Sequence, residues 1–169
     1  TRQLGKLDAA DRLSWFTGPE IPAAVSSLLV DRAGTLWLSG PDLFRFGGRQ
    51  AELRTGGVGY VRRIVEGRRT GLLYLGSSRS GLAVGDGATW RRLGGPTTEG
   101  SESVYAVLEA GPADVWVGTA AGLYRAVDDR LVLPEPPLRI DRPVFSLAED
   151  REGRLWFGTM DTAQAVPTG

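Results

Sequence analysis

The chain has no cysteine and no histidine among its 169 residues, a single methionine and a single lysine, Lys6. Without cysteine there is no disulfide framework, no thiolate nucleophile and no thiolate-ligated metal. Without histidine the commonest general base, the commonest zinc ligand and any Ser-His-Asp arrangement are excluded. No apolar run reaches the roughly 18 residues of a membrane-spanning helix, and Thr1 opens no signal peptide. The segment is therefore expected to be soluble, with any targeting or anchoring piece cut away or never present. Charge of one sign is also lacking. Twenty basic and twenty acidic residues cancel, so no global field recruits nucleic acid or an anionic membrane. Stretches with helical period are missing too, and 24 glycines and 10 prolines punctuate nearly every segment.

What is present is a repeat. Residues 144 to 159, VFSLAEDREGRLWFGT, read as two short runs of β-formers joined by an acidic turn with Gly153, the pattern of a β-hairpin. The pattern recurs at Val25–Gly40 (VSSLLVDRAGTLWLSG), at Val104–Thr119 (VYAVLEAGPADVWVGT) and, with one extra residue, at Val61–Ser77 (VRRIVEGRRTGLLYLGS). The leading valines step by 36, 43 and 40 residues, and the aromatics Trp37, Tyr74, Trp116 and Trp156 step by 37, 42 and 40. A period near ~40 with strands inside each copy is the signature of β-propeller blades.

The expected fold is all-β, with blades of four antiparallel strands. About four blades fit, as a small ring or as part of a larger, seven- or eight-bladed propeller. The divisions are residues 1–24 as an outer strand and linker, 25–57, 58–97 and 98–137 as blades one to three, and 138–169 as blade four without its outer strand. Leu13–Thr17 is a spare outer strand. It is expected to complete blade four, within one chain or between copies, because closure removes unpaired backbone groups. The Trp column is expected to fill the space between blades, and Asp31-Arg32-Ala33-Gly34 and Asp150-Arg151-Glu152-Gly153 to cap their own turns. Glu66, Glu109 and Glu149 share one column before these turns, with Val30 in the first copy, and read as solvated or arginine-paired charges.

The segments Asp150–Thr159, Asp31–Leu38 and Val115–Arg125 resemble the two-component regulator propeller repeat, roughly V-x-x-L-x-x-D-x-x-G-x-L-W-[IVF]-G-T-x-x-G-L-Y-R, over residues 25 to about 165. The resemblance implies a periplasmic or extracytoplasmic sensor region of a hybrid histidine kinase or related bacterial receptor, acting in signal transduction without catalysis. Blade four departs from the pattern, with Thr162-Ala163-Gln164-Ala165 where blade three has Gly-Leu-Tyr-Arg.

Scaffold positions recur between copies, whereas binding positions need not. The column after the leading valine reads Ser26, Arg62, Tyr105, Phe145, four different chemistries at one pseudo-equivalent place. The turns between second and third strands also differ and carry Arg79 and Asp161. These six are the candidate ligand-binding residues. The arginines suit a carboxylate or sulfate, and the rings suit stacking on a sugar or aromatic group. No catalytic residue, metal site or cofactor is expected. The expected partners are a small polar or carbohydrate-like ligand and other blades or a second copy, with no nucleic acid and no membrane insertion. Two other readings stay open: a scaffold for protein assembly, and a propeller lyase or hydrolase working without histidine or cysteine.

Overall fold

Short β-branched and aromatic runs between glycine-rich turns form seventeen strands, and no helix, among the described residues of the computed structural model. It describes residues 2–19, 21–48, 51–53, 58–95, 102–111, 114–160 and 163–167, with the backbone alone at 51–53 and 163–167. Strands β1 (Gln3–Leu7) and β2 (Leu13–Thr17) make a hairpin. Blade one is β3 (Ser27–Val30), β4 (Leu36–Ser39), β5 (Leu43–Phe46) and β6 (Ala51–Leu53); blade two is β7 (Val61–Glu66), β8 (Leu73–Ser77), β9 (Leu82–Gly85) and β10 (Trp90–Arg92). Blade three is β11 (Val104–Ala110), β12 (Asp114–Thr119), β13 (Leu123–Val127) and β14 (Arg130–Val132), and blade four is β15 (Ser146–Glu149), β16 (Arg154–Gly158) and β17 (Ala163–Pro167). Every neighbouring pair is antiparallel, in the sequential order of a propeller blade. The first strands β3, β7, β11 and β15 lie side by side at the hub.

Period-2 alternation sends one set of side chains to the preceding blade and the other to the following one. Leu29 with Trp37, Val65 with Tyr74, and Leu108 with Trp116 are cross-strand pairs facing forward. Ile64 with Leu75, Val107 with Val117, and Leu147 with Phe157 face back. Three apolar clusters result, one at each junction between successive blades. Trp37, Tyr74 and Trp116 are 4 to 5% exposed within them.

Trp156 departs from the expectation for its column. It is 40% exposed, because it points away from blade three and no described blade stands on its far side. At the other end, Leu13–Thr17 pairs with Gln3–Leu7, a strand that sequence reading missed. Leu4 and Phe16 of this hairpin pack on Leu38, Phe44 and Phe46 of blade one. Within the chain the spare outer strand thus lies beside blade one and not on β17.

The columns that repeat have visible causes. A Cβ on Gly76 would lie 2.7 Å from Val104 Cγ1, and one on Gly118 2.6 Å from the Val144 carbonyl. Glycine there lets the next blade's leading valine seat against the sheet. Asp31 accepts from the Thr35 amide (2.8 Å) and the Trp37 indole (2.8 Å), and Asp150 from the Arg154 amide (2.9 Å) and the Trp156 indole (2.7 Å). One carboxylate therefore caps the turn and orients the ring six residues on.

The glutamate column has a role that charge patterning did not suggest. Glu66 accepts from the Arg32 amide (3.0 Å), Glu109 from the Arg69 amide (2.6 Å) and Thr70 Oγ1 (3.0 Å), and Glu149 from the Gly111 amide (2.8 Å). Each carboxylate reaches back and caps the first turn of the blade before it. Arginine pairing is secondary, with Arg69 3.8 Å from Glu109.

Candidate functional site

The hub face is built by a bulge at the start of each inner strand. In blade two Val61 pairs with Ser77 and Arg63 with Gly76, leaving Arg62 as the extra residue. In blade three Val104 pairs with Thr119 and Ala106 with Gly118, leaving Tyr105. The amides of Ser26 and Phe145 donate to the carbonyls of Ser39 (2.7 Å) and Gly158 (2.9 Å), residues that already oppose Ser27 and Ser146. A bulge re-aims its side chain out of the alternating pattern. All four bulge residues belong to the column that varies between copies.

The second component is the turn after the second strand. In blade two, Ser77 Oγ accepts from the amides of Arg79 (3.2 Å) and Ser80 (3.1 Å), a local serine turn that lifts Arg79 onto the hub face. Thr119 does the same in blade three, accepting from Ala121 and Gly122 (both 3.1 Å).

These parts enclose an open cavity of about 1110 Å³ lined by Ser26, Gly59, Tyr60, Arg62, Arg63, Ser78, Arg79, Ser80, Tyr105 and Phe145. Five of the six residues singled out from sequence line this one space. The sixth, Asp161, lies outside the described residues. Tyr105 and Phe145 are stacked, with centroids 4.8 Å apart and planes at 23°, and the Arg62 guanidinium sits 5.3 Å from the Tyr105 centroid. Ser26 Oγ is 2.6 Å from the Val61 carbonyl and 3.1 Å from that of Ser39, so its hydroxyl also ties blade one to blade two.

Sequence reasoning missed Arg63, Tyr60, Gly59, Ser78 and Ser80. Strict alternation sends Arg62 and Arg63 to opposite faces; the bulge, with both residues opposite Gly76, brings both to the cavity. The serines sit in the turn that was singled out, flanking Arg79. Nothing in the sequence marked Gly59 and Tyr60, which precede β7.

Among the described residues no group of three or more metal-ligating side chains forms. No described helix is long and apolar enough to cross a membrane.

Residues 139–161, covering the first hairpin of blade four, match the model of the two component regulator propeller. Over those residues the chain carries the two component regulator propeller repeat. No curated protein sequence matches it. Among solved structures, the chain is similar to the extracellular domain of a hybrid two component system from B. thetaiotaomicron, with a TM-score of 0.72 and 15% identity over 96% of this chain and 25% of that one. It is similar to virginiamycin B lyase from Staphylococcus aureus, with a TM-score of 0.69 and 13% identity over 99% of this chain and 63% of that one. PorZ, a surface component of the type-IX secretion system of Porphyromonas gingivalis, gives a TM-score of 0.70 and 16% identity over 93% and 29%. The chain spans less than two thirds of the length of each of these proteins. At such identities the likeness shows the fold alone.

Proposed function

We propose that this propeller segment is a non-catalytic sensing module, binding a small polar ligand at the hub face as part of an extracytoplasmic signalling receptor. The observation that supports this most is the convergence of the variable column on one cavity. Ser26, Arg62, Tyr105 and Phe145 come from four blades, differ chemically, and line a single space with Arg79. The aromatic column of the scaffold recurs between copies, and this column does not. The regulator repeat and the extracellular domain among its structural relatives favour the receptor setting.

The lyase likeness gives a second reading, but the residues argue against it. The Staphylococcus aureus enzyme is catalytically inactive with one of its histidines replaced by alanine, and none of the 169 residues here is histidine. Among the described residues no carboxylate lines the cavity to take over acid or base work.

The test is a thermal-shift screen of neutral sugars, amino acids and organic anions against the chain and its Arg79→Ala variant. A hit that stabilises the parent and is lost in the variant supports sensing at the hub. A hit unaffected by Arg79→Ala, or no hit at all with concentration-dependent self-association in sedimentation, favours an assembly scaffold.

A further inference from the structure

Among the described residues, three arginines and no acidic residue line the hub cavity. Elsewhere on the surface, guanidinium groups lie beside carboxylates: Arg12 with Asp8, Arg91 with Asp129, Arg125 with Asp114 and Arg154 with Asp150. Arg62, Arg63 and Arg79 have no such partner among the described residues. Three like charges gathered around one space repel each other, and an anion placed among them relieves that repulsion. The glutamate column does not neutralise them. Glu66, Glu109 and Glu149 end the inner strands at the opposite edge of the sheets and are engaged with turn amides.

The aromatic pair bears on the same question. Phe145, Tyr105 and Arg62 come from successive blades, and Tyr105 is in contact with both of the others, stacked on the Phe145 ring and under the Arg62 guanidinium. Its role is to hold Arg62: a cation over an aromatic face is held electrostatically, and the planar fork keeps its donors for a carboxylate, sulfate or phosphate oxygen. Arg63, brought alongside by the bulge, and Arg79, on its serine turn, approach from the same blade.

From this the geometry points to an organic anion carrying at least two negative charges as the ligand class, gripped by Arg62, Arg63 and Arg79, with Tyr105 as a positioning residue for Arg62. The inference rests on the hub being a binding face and narrows what it accepts: multivalent anions in preference to neutral sugars of equal size. The affinity falls with added salt, because part of it is Coulombic.

The experiment is calorimetric titration of the chain with citrate, acetate and glucose at one fixed ionic strength, repeated for citrate at higher salt. Citrate is expected to saturate one site, more tightly than acetate, and glucose to give no isotherm. Arg62→Ala, Arg63→Ala and Arg79→Ala are each expected to weaken citrate about tenfold or more, since a charge-assisted hydrogen bond is worth roughly 1.5–3 kcal/mol. Tyr105→Ala is expected to weaken it several-fold and Tyr105→Phe to restore it, because a phenyl face holds a cation and only the hydroxyl is lost; a ring that merely fills space does not predict citrate-specific rescue. Arg62→Lys, which keeps the charge and loses the fork, is expected to fall between parent and alanine variant. Melting temperatures within a few degrees of the parent show that these surface changes leave the fold intact. Saturation by glucose but not by citrate overturns the anion assignment and leaves the sensing role standing, whereas citrate binding unchanged in all three alanine variants overturns the anion assignment and the hub site together. If citrate, acetate and glucose all fail and the wider thermal-shift screen is also empty, the hub is no ligand site and both readings fall.

Discussion

Tryptophans in one repeat column do not carry equal weight. Trp116 is 4% exposed between blades three and four, so Trp116→Ala leaves a cavity among Val144, Leu155 and Phe157 and is expected to cost about 3–5 kcal/mol. Trp156, 40% exposed, has no described blade to wedge against, and Trp156→Ala is expected to cost less than about 2 kcal/mol. Urea midpoints of the two variants check the ranking; equal losses would place Trp156 in a covered environment. The indole nitrogens separate the same residues differently. Trp37 and Trp156 donate to an aspartate six residues earlier, while Trp116 Nε1 is buried with no acceptor among the described residues, and Ala110 occupies the aspartate position. Ala110→Asp supplies the acceptor that blades one and four already have. It is expected to raise stability by up to about 1 kcal/mol, the net worth of one hydrogen bond. A melting temperature that falls would show that carboxylate burial outweighs the new bond.

Single strands show where sequence is sufficient and where it is not. The hairpins, the aromatic column at Trp37, Tyr74 and Trp116, and the turn aspartates were legible, because each is a local demand of alternation, ring burial or positive φ, and local demands leave a residue-by-residue trace. Gly34 and Gly153, with φ of 80° and 73°, are examples. The glutamate latch was not legible. Glu109 and the Arg69 amide it accepts from are 40 residues apart, and nothing in either segment names the other. Arg63 was missed for a related reason: a bulge is a property of two paired strands, and alternation read along one of them sends the side chain to the wrong face. Both points carry predictions. Glu109→Ala leaves the Arg69 amide and the Thr70 hydroxyl without their acceptor at a buried position and is expected to cost about 2–3 kcal/mol. Glu109→Gln keeps one carbonyl acceptor and is expected to recover part of that loss in the same urea titration. If Glu109→Ala unfolds at the parent's midpoint, the latch contributes nothing between blades two and three.

For the molecule as a whole, blades joined only to their neighbours make stability a sum of junctions, as in other repeat proteins, and the turn carboxylates tie that sum to pH. Asp8, Asp31, Asp86 and Asp150 are all held below the ordinary aspartate range. At Asp150 the Trp156 indole is the largest cause, followed by a partial burial that opposes it and by the Arg154 amide and guanidinium. At Asp31 burial is largest and raises the value, but the hydrogen bonds from the Trp37 indole, the Thr35 amide and hydroxyl and the Ala33 amide together outweigh it. At Asp8 and Asp86 the leading causes are the backbone amides of Arg12 and Thr89. A carboxylate lowered in the folded state binds fewer protons there than in the unfolded chain. Its stabilisation is therefore complete above the unfolded value of about 3.9 and is lost as pH falls through the folded value. With no histidine to titrate, the melting temperature is expected to stay nearly level from about pH 5 to 8 and to drop below about pH 4. Asp150→Asn is expected to lower the melting temperature at neutral pH and to flatten the acid decline, since the indole keeps an acceptor but the group that takes up a proton is gone. An acid decline as steep in Asp150→Asn as in the parent would assign the lost stability to other carboxylates.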